Sequence, residues 1–175
     1  YDGMELEVES QLSGPHQAKN LITALEATRT LSDMGWAVTR DHFKSGIRSV
    51  VTNTGLKGRW QVLGRNPLII ADTGHNREGL EPNINRLLSN RKPEQLHFVW
   101  GMVNDKDVFK TLVMLPKSAS FYFCKPDVPR GLEVSVLEET AKNLGMKSIP
   151  FQTVNEALSA AKGLAKSEDI IYVGG

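Results

Sequence analysis

The feature that most constrains the fold is an alternation of short apolar runs with helix-length segments over the last two thirds of the chain. The runs are rich in β-branched and aromatic residues, as buried strands are, and they lie at 68–71, 96–100, 119–124, 148–151 and 169–173. Between them, 134–144 and 153–165 have helical periodicity, and Thr153 with Glu156 makes a capping box. Strand, helix and strand in repetition require crossover connections, which predict a mostly parallel sheet with helices on its faces. Residues 61–63 are a candidate edge strand.

The first part of the chain follows a different pattern. Apolar and polar residues alternate over 5–12, as in a half-buried strand, and apolar residues then recur at helical spacing from Pro15 to Gly35. A second short helix is predicted from Thr39, its N-cap, as far as Val51. We therefore expect a strand, a helix and a helix before the α/β region.

Composition excludes several classes of function. The chain has 21 Lys and Arg against 20 Asp and Glu, and the basic residues are scattered, which argues against a nucleic-acid partner. Its apolar runs are all shorter than the ~20 residues that span a bilayer, so no membrane association is expected. The single cysteine, Cys124, forms no internal disulfide, which fits a cytoplasmic protein.

The first candidate site follows the run at 68–71. Asp72 can accept hydrogen bonds from sugar hydroxyls, and His75 can orient an anionic substrate or an acyl group near neutral pH. In open α/β sheets ligands gather at such strand ends. The alternative is that Asp72 and Asn76 only cap the next helix, with His75 a solvated turn residue.

The second candidate site follows the run at 96–100. Lys106 can pair with a substrate carboxylate while Asp105 and Asp107 hold it in position. The alternative is a helix N-terminus, where the helix dipole favours acidic residues.

Two weaker candidates lie earlier in the chain. Arg59 follows Gly58, and its guanidinium can bind phosphate oxygens bidentately, although a lone arginine is usually a surface charge. Gly14, His16, Gln17 and Asn20 surround a helix start, where free N–H groups bind polar ligands, although capping alone explains this composition.

Other chemistries find little support in the sequence. The four histidines show no metal-ligand spacing with each other or with Cys124, so no metal site is predicted in this chain. The glycine-rich phosphate-loop patterns and the nucleophile elbow of hydrolases do not occur.

Taken in order, these stretches resemble the folylpolyglutamate synthase and dihydrofolate synthase family, relatives of the Mur ligases. The matching motifs are Gly14-x-His16-Gln17-x-x-Asn20, Lys57-Gly58-Arg59, Asp72-Thr73-Gly74-His75-Asn76, Asp105-Lys106-Asp107, Pro129-Arg130 and Gly174-Gly175. The resemblance covers nearly the whole chain. The sequence departs from the family at Thr73-Gly74, where the family has Gly-Ala, at Arg77, where proline is frequent, and before Gly58, where the family's proline is missing. Gly175 stands where the family usually has serine.

The resemblance implies a Rossmann-like C-terminal domain at 59–175, a linker at 52–58, and the tail of a central ATP-binding domain at 1–51. The enzyme's own N-terminal and central region is then the main protein partner, and it is expected to carry the phosphate loop and the Mg²⁺ ligands. The chain alone is expected to be inactive, because the cleft that shields the acyl phosphate from water needs both parts.

The resemblance also implies the reaction. ATP phosphorylates the carboxyl group of dihydropteroate or of a folate, and the amine of L-glutamate attacks the acyl phosphate. Asn20, Arg59 and Asp72 correspond to ATP contacts, with Arg59 on phosphate and Asp72 on ribose, whereas His75 and Lys106 correspond to groups near the glutamate. The alternatives are a Mur-type peptidoglycan amino-acid ligase, a stand-alone nucleotide-binding or dehydrogenase-like module, and a non-catalytic interaction domain.

Overall fold

The computed structural model describes residues 6–14 and 17–175. The chain divides into two compact units, Tyr1–Trp60 and Gln61–Gly175. Within the described ranges, no helix is long and apolar enough to cross a membrane.

The described part of the first unit is helical, with α1 (Gln17–Asp33), α2 (Arg40–Arg48) and α3 (Val50–Thr54). Thr39 is the N-cap of α2, as predicted, and its side chain accepts a hydrogen bond from the backbone N–H of His42 at 3.2 Å. The predicted second helix is interrupted at Ser49, which separates α2 from α3. Pro15 and His16, predicted at the start of the first helix, lie outside the described residues.

The strand expected over 5–12 is absent from the described residues 6–12, so that prediction is wrong there. Alternation alone does not make a strand, because a strand also needs a neighbour to which its backbone can bond. In this segment the side chain of Gln11 instead makes hydrogen bonds to α3. The Gln11 carboxamide oxygen accepts from the N–H groups of Val51 (2.8 Å) and Thr52 (3.2 Å), and its nitrogen donates to the Thr52 hydroxyl. Gln11 thereby ties the segment to the first turn of α3.

The second unit is an α/β domain. Its elements are β1 (Gln61–Arg65), β2 (Leu68–Ala71), α4 (Arg77–Leu88), β3 (Leu96–Trp100), α5 (Val108–Leu112), β4 (Ser120–Cys124), α6 (Val134–Asn143), β5 (Lys147–Phe151), α7 (Val154–Leu164) and β6 (Ile170–Gly174). The six strands form one sheet in the order β1-β2-β6-β3-β4-β5. All neighbours run parallel except the edge strand β1, which is antiparallel to β2. The predicted mostly parallel sheet flanked by helices is confirmed.

The core has two faces because successive side chains of a strand point in opposite directions. One face packs against α7, whose Ala157 and Ala161 are buried and small enough to bring the helix close to the strands. The other face carries aromatic side chains, among them Phe98 and Phe121, which stack with ring centroids 5.4 Å apart. Burial of this apolar area is the main force that holds the sheet between its helices.

A buried polar cluster lies towards the amino ends of β3 and β6. The imidazole of His97 contacts the Tyr122 hydroxyl at 3.0 Å and the Asp169 carboxylate at 3.2 Å. Burial, and then the charge of Asp169, raise the pKa of Tyr122, so its hydroxyl stays protonated. Because the three groups satisfy one another inside the protein, we assign them to fold stability.

Candidate active site

The parallel strands bring their carboxyl ends to one edge of the sheet, where the predicted residues of the second unit lie. Hydrogen bonds between backbone groups hold the strand ends together at this edge. The N–H of Asp72 donates to the carbonyl of Val173 at 3.0 Å, and that of Gly101 donates to Gly174 at 3.2 Å. Asp72 after β2, Gly174 in β6 and Gly101 after β3 are therefore neighbours across the edge.

The backbones approach so closely at this edge that side chains are excluded. A Cβ atom on Gly101 would lie 2.7 Å from the carbonyl oxygen of Cys124. One on Gly174 would lie 2.8 Å from Cε1 of Tyr172 and 3.1 Å from Cζ3 of Trp100. The distances of 2.7 Å and 2.8 Å are shorter than normal Cβ contacts, so a side chain at either position would force its packed neighbours to shift.

The turn after β2 separates a buried carboxylate from an exposed imidazole. Asp72 is only 6% exposed, and its Oδ1 accepts a hydrogen bond from the N–H of Gly74 at 2.8 Å. His75 is exposed, with Nδ1 3.0 Å from the carbonyl oxygen of Thr73. Asn76 is the N-cap of α4 and accepts from Gly79 N–H at 2.9 Å. Capping therefore explains Asn76, whereas Oδ1 of Asp72 closes the turn within its own loop.

Asp72 lies beside a second buried polar pair. The side-chain nitrogen of Asn83, on α4, donates to the hydroxyl of Tyr172, on β6, at 3.1 Å. Burial raises the pKa of Tyr172, the Asp72 carboxylate raises it further, and the hydrogen bond from Asn83 lowers it by a smaller amount. A Cβ on Gly174 would lie 2.8 Å from Cε1 of Tyr172 and 3.3 Å from the backbone oxygen of Asp72, so the two residues are neighbours at this edge.

The loop after β3 differs from the prediction. Asp105 pairs with Arg130, at 2.9 Å from Nη1. Asp107 is the N-cap of α5 and accepts from the backbone N–H of Lys110, whose ammonium lies 3.1 Å from the same carboxylate. These contacts with Lys110 hold the pKa of Asp107 below its usual value.

The expectation that both carboxylates hold Lys106 is therefore wrong, because each has another cationic partner. Lys106 itself is half-buried, and across the part of the chain that the structure describes its ammonium has no carboxylate at ion-pair distance. The helix-start alternative is correct for Asp107.

Arg130 was not among the predicted site residues. Its backbone carbonyl accepts from Asn104 N–H at 2.9 Å, and Leu132 N–H donates to the carbonyl of Met102 at 2.8 Å. The loops that follow β3 and β4 are thus joined by backbone hydrogen bonds as well as by the ion pair between Asp105 and Arg130. Because the partners are far apart in sequence, no local motif could reveal this contact.

The two other predicted residues belong to the first unit. The amide nitrogen of Asn20 donates to the side-chain oxygen of Gln17 at 3.2 Å, in the first turn of α1. Arg59 is exposed and follows Gly58, which is buried with φ 68°, a backbone conformation that favours glycine. Asp72, His75 and Lys106 lie in the second unit, at one sheet edge.

An open cleft of about 760 Å³ lies beyond the carboxyl ends of β4 and β5, and none of the predicted site residues lines it. Two of its polar side chains already have partners within the protein. Lys125 pairs with Glu133, and the hydroxyl of Thr153 accepts from Glu156 N–H at 3.2 Å as part of the α7 capping box. We assign no ligand to this cleft.

The chain is similar in sequence and in structure to several known proteins. A curated relative, the Escherichia coli dihydrofolate synthase/folylpolyglutamate synthase, is 32% identical over 157 residues, which are 89% of this chain and 35% of the relative. The solved structure of Escherichia coli FolC in complex with DHPP and ADP superposes with a TM-score of 0.74 at 29% identity, over 100% of this chain and 38% of that one.

A bifunctional folylpolyglutamate synthase/dihydrofolate synthase with Mn, AMPPNP and L-glutamate bound gives a TM-score of 0.66 at 27% identity, over 80% of this chain and 32% of that one. The chain thus spans about a third of the length of these relatives. The resemblance predicted from the motifs is confirmed. The family described as Mur ligase, glutamate ligase domain, matches residues 58–175, and the chain belongs to that family.

Proposed function

We propose that this chain is the C-terminal part of an ATP-dependent ligase that joins L-glutamate to dihydropteroate or to a (poly)glutamylated folate. The observation that carries the proposal is the buried Asp72 carboxylate at the carboxyl edge of the sheet, where ligands bind in open α/β sheets. A curated relative of this chain is a dihydrofolate synthase/folylpolyglutamate synthase, and solved structures of similar proteins hold ADP or AMPPNP.

In this proposal the cofactor-binding residues are Asn20, Arg59 and Asp72. Arg59 contacts phosphate, because its guanidinium is exposed and always charged, and Asp72 accepts from ribose hydroxyls. His75 and Lys106 lie on the glutamate side, where an ammonium attracts a substrate carboxylate. Since the glutamate amine attacks an acyl phosphate, the work of these residues is to place the amine and to keep water out.

Mg²⁺ accompanies ATP in the proposed reaction and neutralises phosphate charge. Within residues 6–14 and 17–175, no group of three His, Cys, Asp or Glu side chains is placed to hold a metal ion. We propose that the metal ligands, the phosphate loop and the pterin site lie in the central and N-terminal region, for which 1–51 supplies the tail and 52–58 the linker to 59–175. The enzyme is proposed to act in the cytoplasm, within folate biosynthesis and one-carbon metabolism.

The proposal is tested with the full-length ligase and with the 175-residue chain. The full-length protein should add glutamate to dihydropteroate or to a reduced folate in an ATP-dependent manner, detected as a mass gain of one glutamyl residue. The isolated chain should give no product. Ligation by the chain alone would contradict the proposed division of the active site, and activity only on peptidoglycan precursors would favour a Mur-type amino-acid ligase.

The residue assignments need their own measurement. Arg59→Gln and Asp72→Asn, made in the full-length protein, should each weaken ATP binding, because each removes a charged contact with the nucleotide. Unchanged ATP affinity in both variants would show that these assignments are wrong and would favour a non-catalytic α/β module.

A further inference from the structure

Helix α4 carries an amide at a position where its neighbours are apolar. Asn83 is 3% exposed and lies on the same face as Leu80, Ile84 and Leu87, all of which are buried. A leucine at this position would pack without a hydrogen-bonding requirement, whereas a buried amide without a partner is destabilising. The amide meets this requirement through its 3.1 Å hydrogen bond to the hydroxyl of Tyr172. Asn83 thus links α4 to the central strand β6.

Tyr172 lies next to the strand that leads into Asp72. In the parallel register of β2 and β6, Ile70 pairs with Tyr172 and Ala71 with Val173. Asp72 N–H then donates to the carbonyl of Val173, so the backbone of Asp72 is fixed against β6. Tyr172 is fully buried, and the Asp72 carboxylate is close enough to raise its pKa.

Gly174 brings these groups together. The Cβ that it lacks would lie 2.8 Å from Cε1 of Tyr172 and 3.3 Å from the backbone oxygen of Asp72. The phenol ring therefore lies against the bare backbone of Gly174, beside the chain that carries Asp72. This packing gives the ring little freedom to turn away.

We infer that Tyr172 and Asn83 are positioning residues that hold the Asp72 carboxylate in the direction required for nucleotide binding. The inference rests on the proposed role of Asp72 as a ribose contact. Asn83 donates to the phenol oxygen and so orients the hydroxyl, and the hydroxyl presents a fixed dipole to the carboxylate. A carboxylate oriented in this way loses less freedom when it accepts a hydrogen bond from a ligand.

The test uses the full-length ligase with Tyr172→Phe, Asn83→Leu and the double variant. Each single change should raise KM for ATP about fivefold, the loss expected for one hydrogen bond, with kcat within about twofold of the parent. The preference for ATP over its 2′-deoxy and 3′-deoxy analogues should shrink by a similar factor, because this preference reports the ribose contact. If the Tyr172→Phe protein does not fold, the KM of the Asn83→Leu variant for ATP tests the inference.

The double variant separates positioning from stability. Phenylalanine and leucine together remove both hydrogen-bonding groups, so folding stability should return towards that of the parent while the raised KM persists. If KM also returns to the parental value, the pair is only structural and the inference is overturned. Tyr122→Phe is the matched control, because it removes another buried phenol hydroxyl, on the face that packs against α7, and should leave KM for ATP unchanged.

Asp72→Asn distinguishes failure of the inference from failure of the proposed function. If it raises KM for ATP while Tyr172→Phe and Asn83→Leu do not, the positioning role is overturned and the nucleotide role stands. If it leaves nucleotide binding unchanged, the ribose assignment fails, and the positioning role fails with it.

Discussion

The guanidinium of Arg130 pairs with the carboxylate of Asp105 at 2.9 Å and joins the loop after β4 to the loop after β3. The backbone bond from Asn104 N–H to the carbonyl of Arg130 strengthens the same junction. Lys106 is adjacent to Asp105, so its position at the sheet edge depends on a residue from the neighbouring loop. This contact replaces the predicted arrangement in which the flanking carboxylates hold the lysine.

We expect Arg130→Gln in the proposed full-length ligase to raise KM for glutamate several-fold, because the loop that carries Lys106 loses its ion pair with the loop after β4. Folding stability should change by less than about 1 kcal/mol, since both partners are largely exposed. Steady-state kinetics at varied glutamate concentration measure the first effect, and urea unfolding measures the second.

Lys110→Gln is the matched control for Arg130→Gln, because it breaks another exposed ion pair, with Asp107, on the same loop and helix. It should leave KM for glutamate near the parental value. In a double-mutant cycle, Asp105→Asn should add little to Arg130→Gln. Fully additive effects would show that the two side chains do not act through each other.

Two of the side-chain caps, those of α4 and α7, give a second prediction. Asn76→Ala and Thr153→Ala should each cost about 1 kcal/mol of folding stability, because each removes the acceptor for a free N–H in the first turn of its helix. Thermal unfolding should show both losses. Only Asn76→Ala should also lower ligase activity, since Asn76 is adjacent to His75. Equal activity losses in the two variants would mean that the defect is general and unrelated to the turn after β2.

Two glycines of the second unit should respond to alanine with opposite signs. Gly101→Ala should destabilise the chain by about 1–3 kcal/mol, because its Cβ would overlap the carbonyl oxygen of Cys124. Gly163→Ala, in α7, should stabilise it by up to about 1 kcal/mol, since no heavy atom lies within 4 Å of the new Cβ and alanine favours a helix. Chemical denaturation of the 175-residue chain tests both. A stable Gly101→Ala variant would contradict the proposed steric limit at the sheet edge.

The sheet could be predicted because its strands are continuous apolar runs, which is typical of strands buried on both faces. The run 96–100 is buried at every position, and the observed β3 has the predicted bounds. The segment 6–12 has an equally clear pattern but no strand, because pairing depends on a partner that local pattern does not specify. Local pattern was thus reliable for the runs that pair within the sheet, and it failed for 6–12, where the described residues form no strand pairing.

The candidate site was predictable only in part. Asp72 was selected because it follows a buried strand, where ligands bind in open α/β sheets. The structure places it at the sheet edge, and its role in ligand binding stays a prediction. Arg130 was noted only as part of a Pro-Arg motif. Its pairing with Asp105, and that of Tyr172 with Asn83, were missed because these contacts join loops or elements that are distant in the sequence. Asn83 did give a usable signal, since it interrupts the apolar face formed by Leu80, Ile84 and Leu87, and a polar residue at such a position needs a partner.

Cys124 is buried at the carboxyl end of β4, and its thiol makes folding stability depend on pH in the alkaline range. Burial raises the pKa of its thiol from 9.0 to about 11. Between these values the unfolded chain loses the proton while the folded chain keeps it. The stabilising contribution of the neutral thiol is therefore complete below pH 9 and is lost as pH rises towards 11.

We expect the free energy of unfolding of the parent chain to fall, relative to that of Cys124→Ala, by on the order of 2 kcal/mol between pH about 8 and about 11. Urea unfolding of the two chains at a series of pH values measures this difference. Tyr122 and Tyr172, whose pKa values are also raised by burial, destabilise both chains in the same direction at high pH and so cancel in the comparison. Parallel pH profiles for the two chains would show that the folded thiol titrates as it does in the unfolded state and is open to solvent.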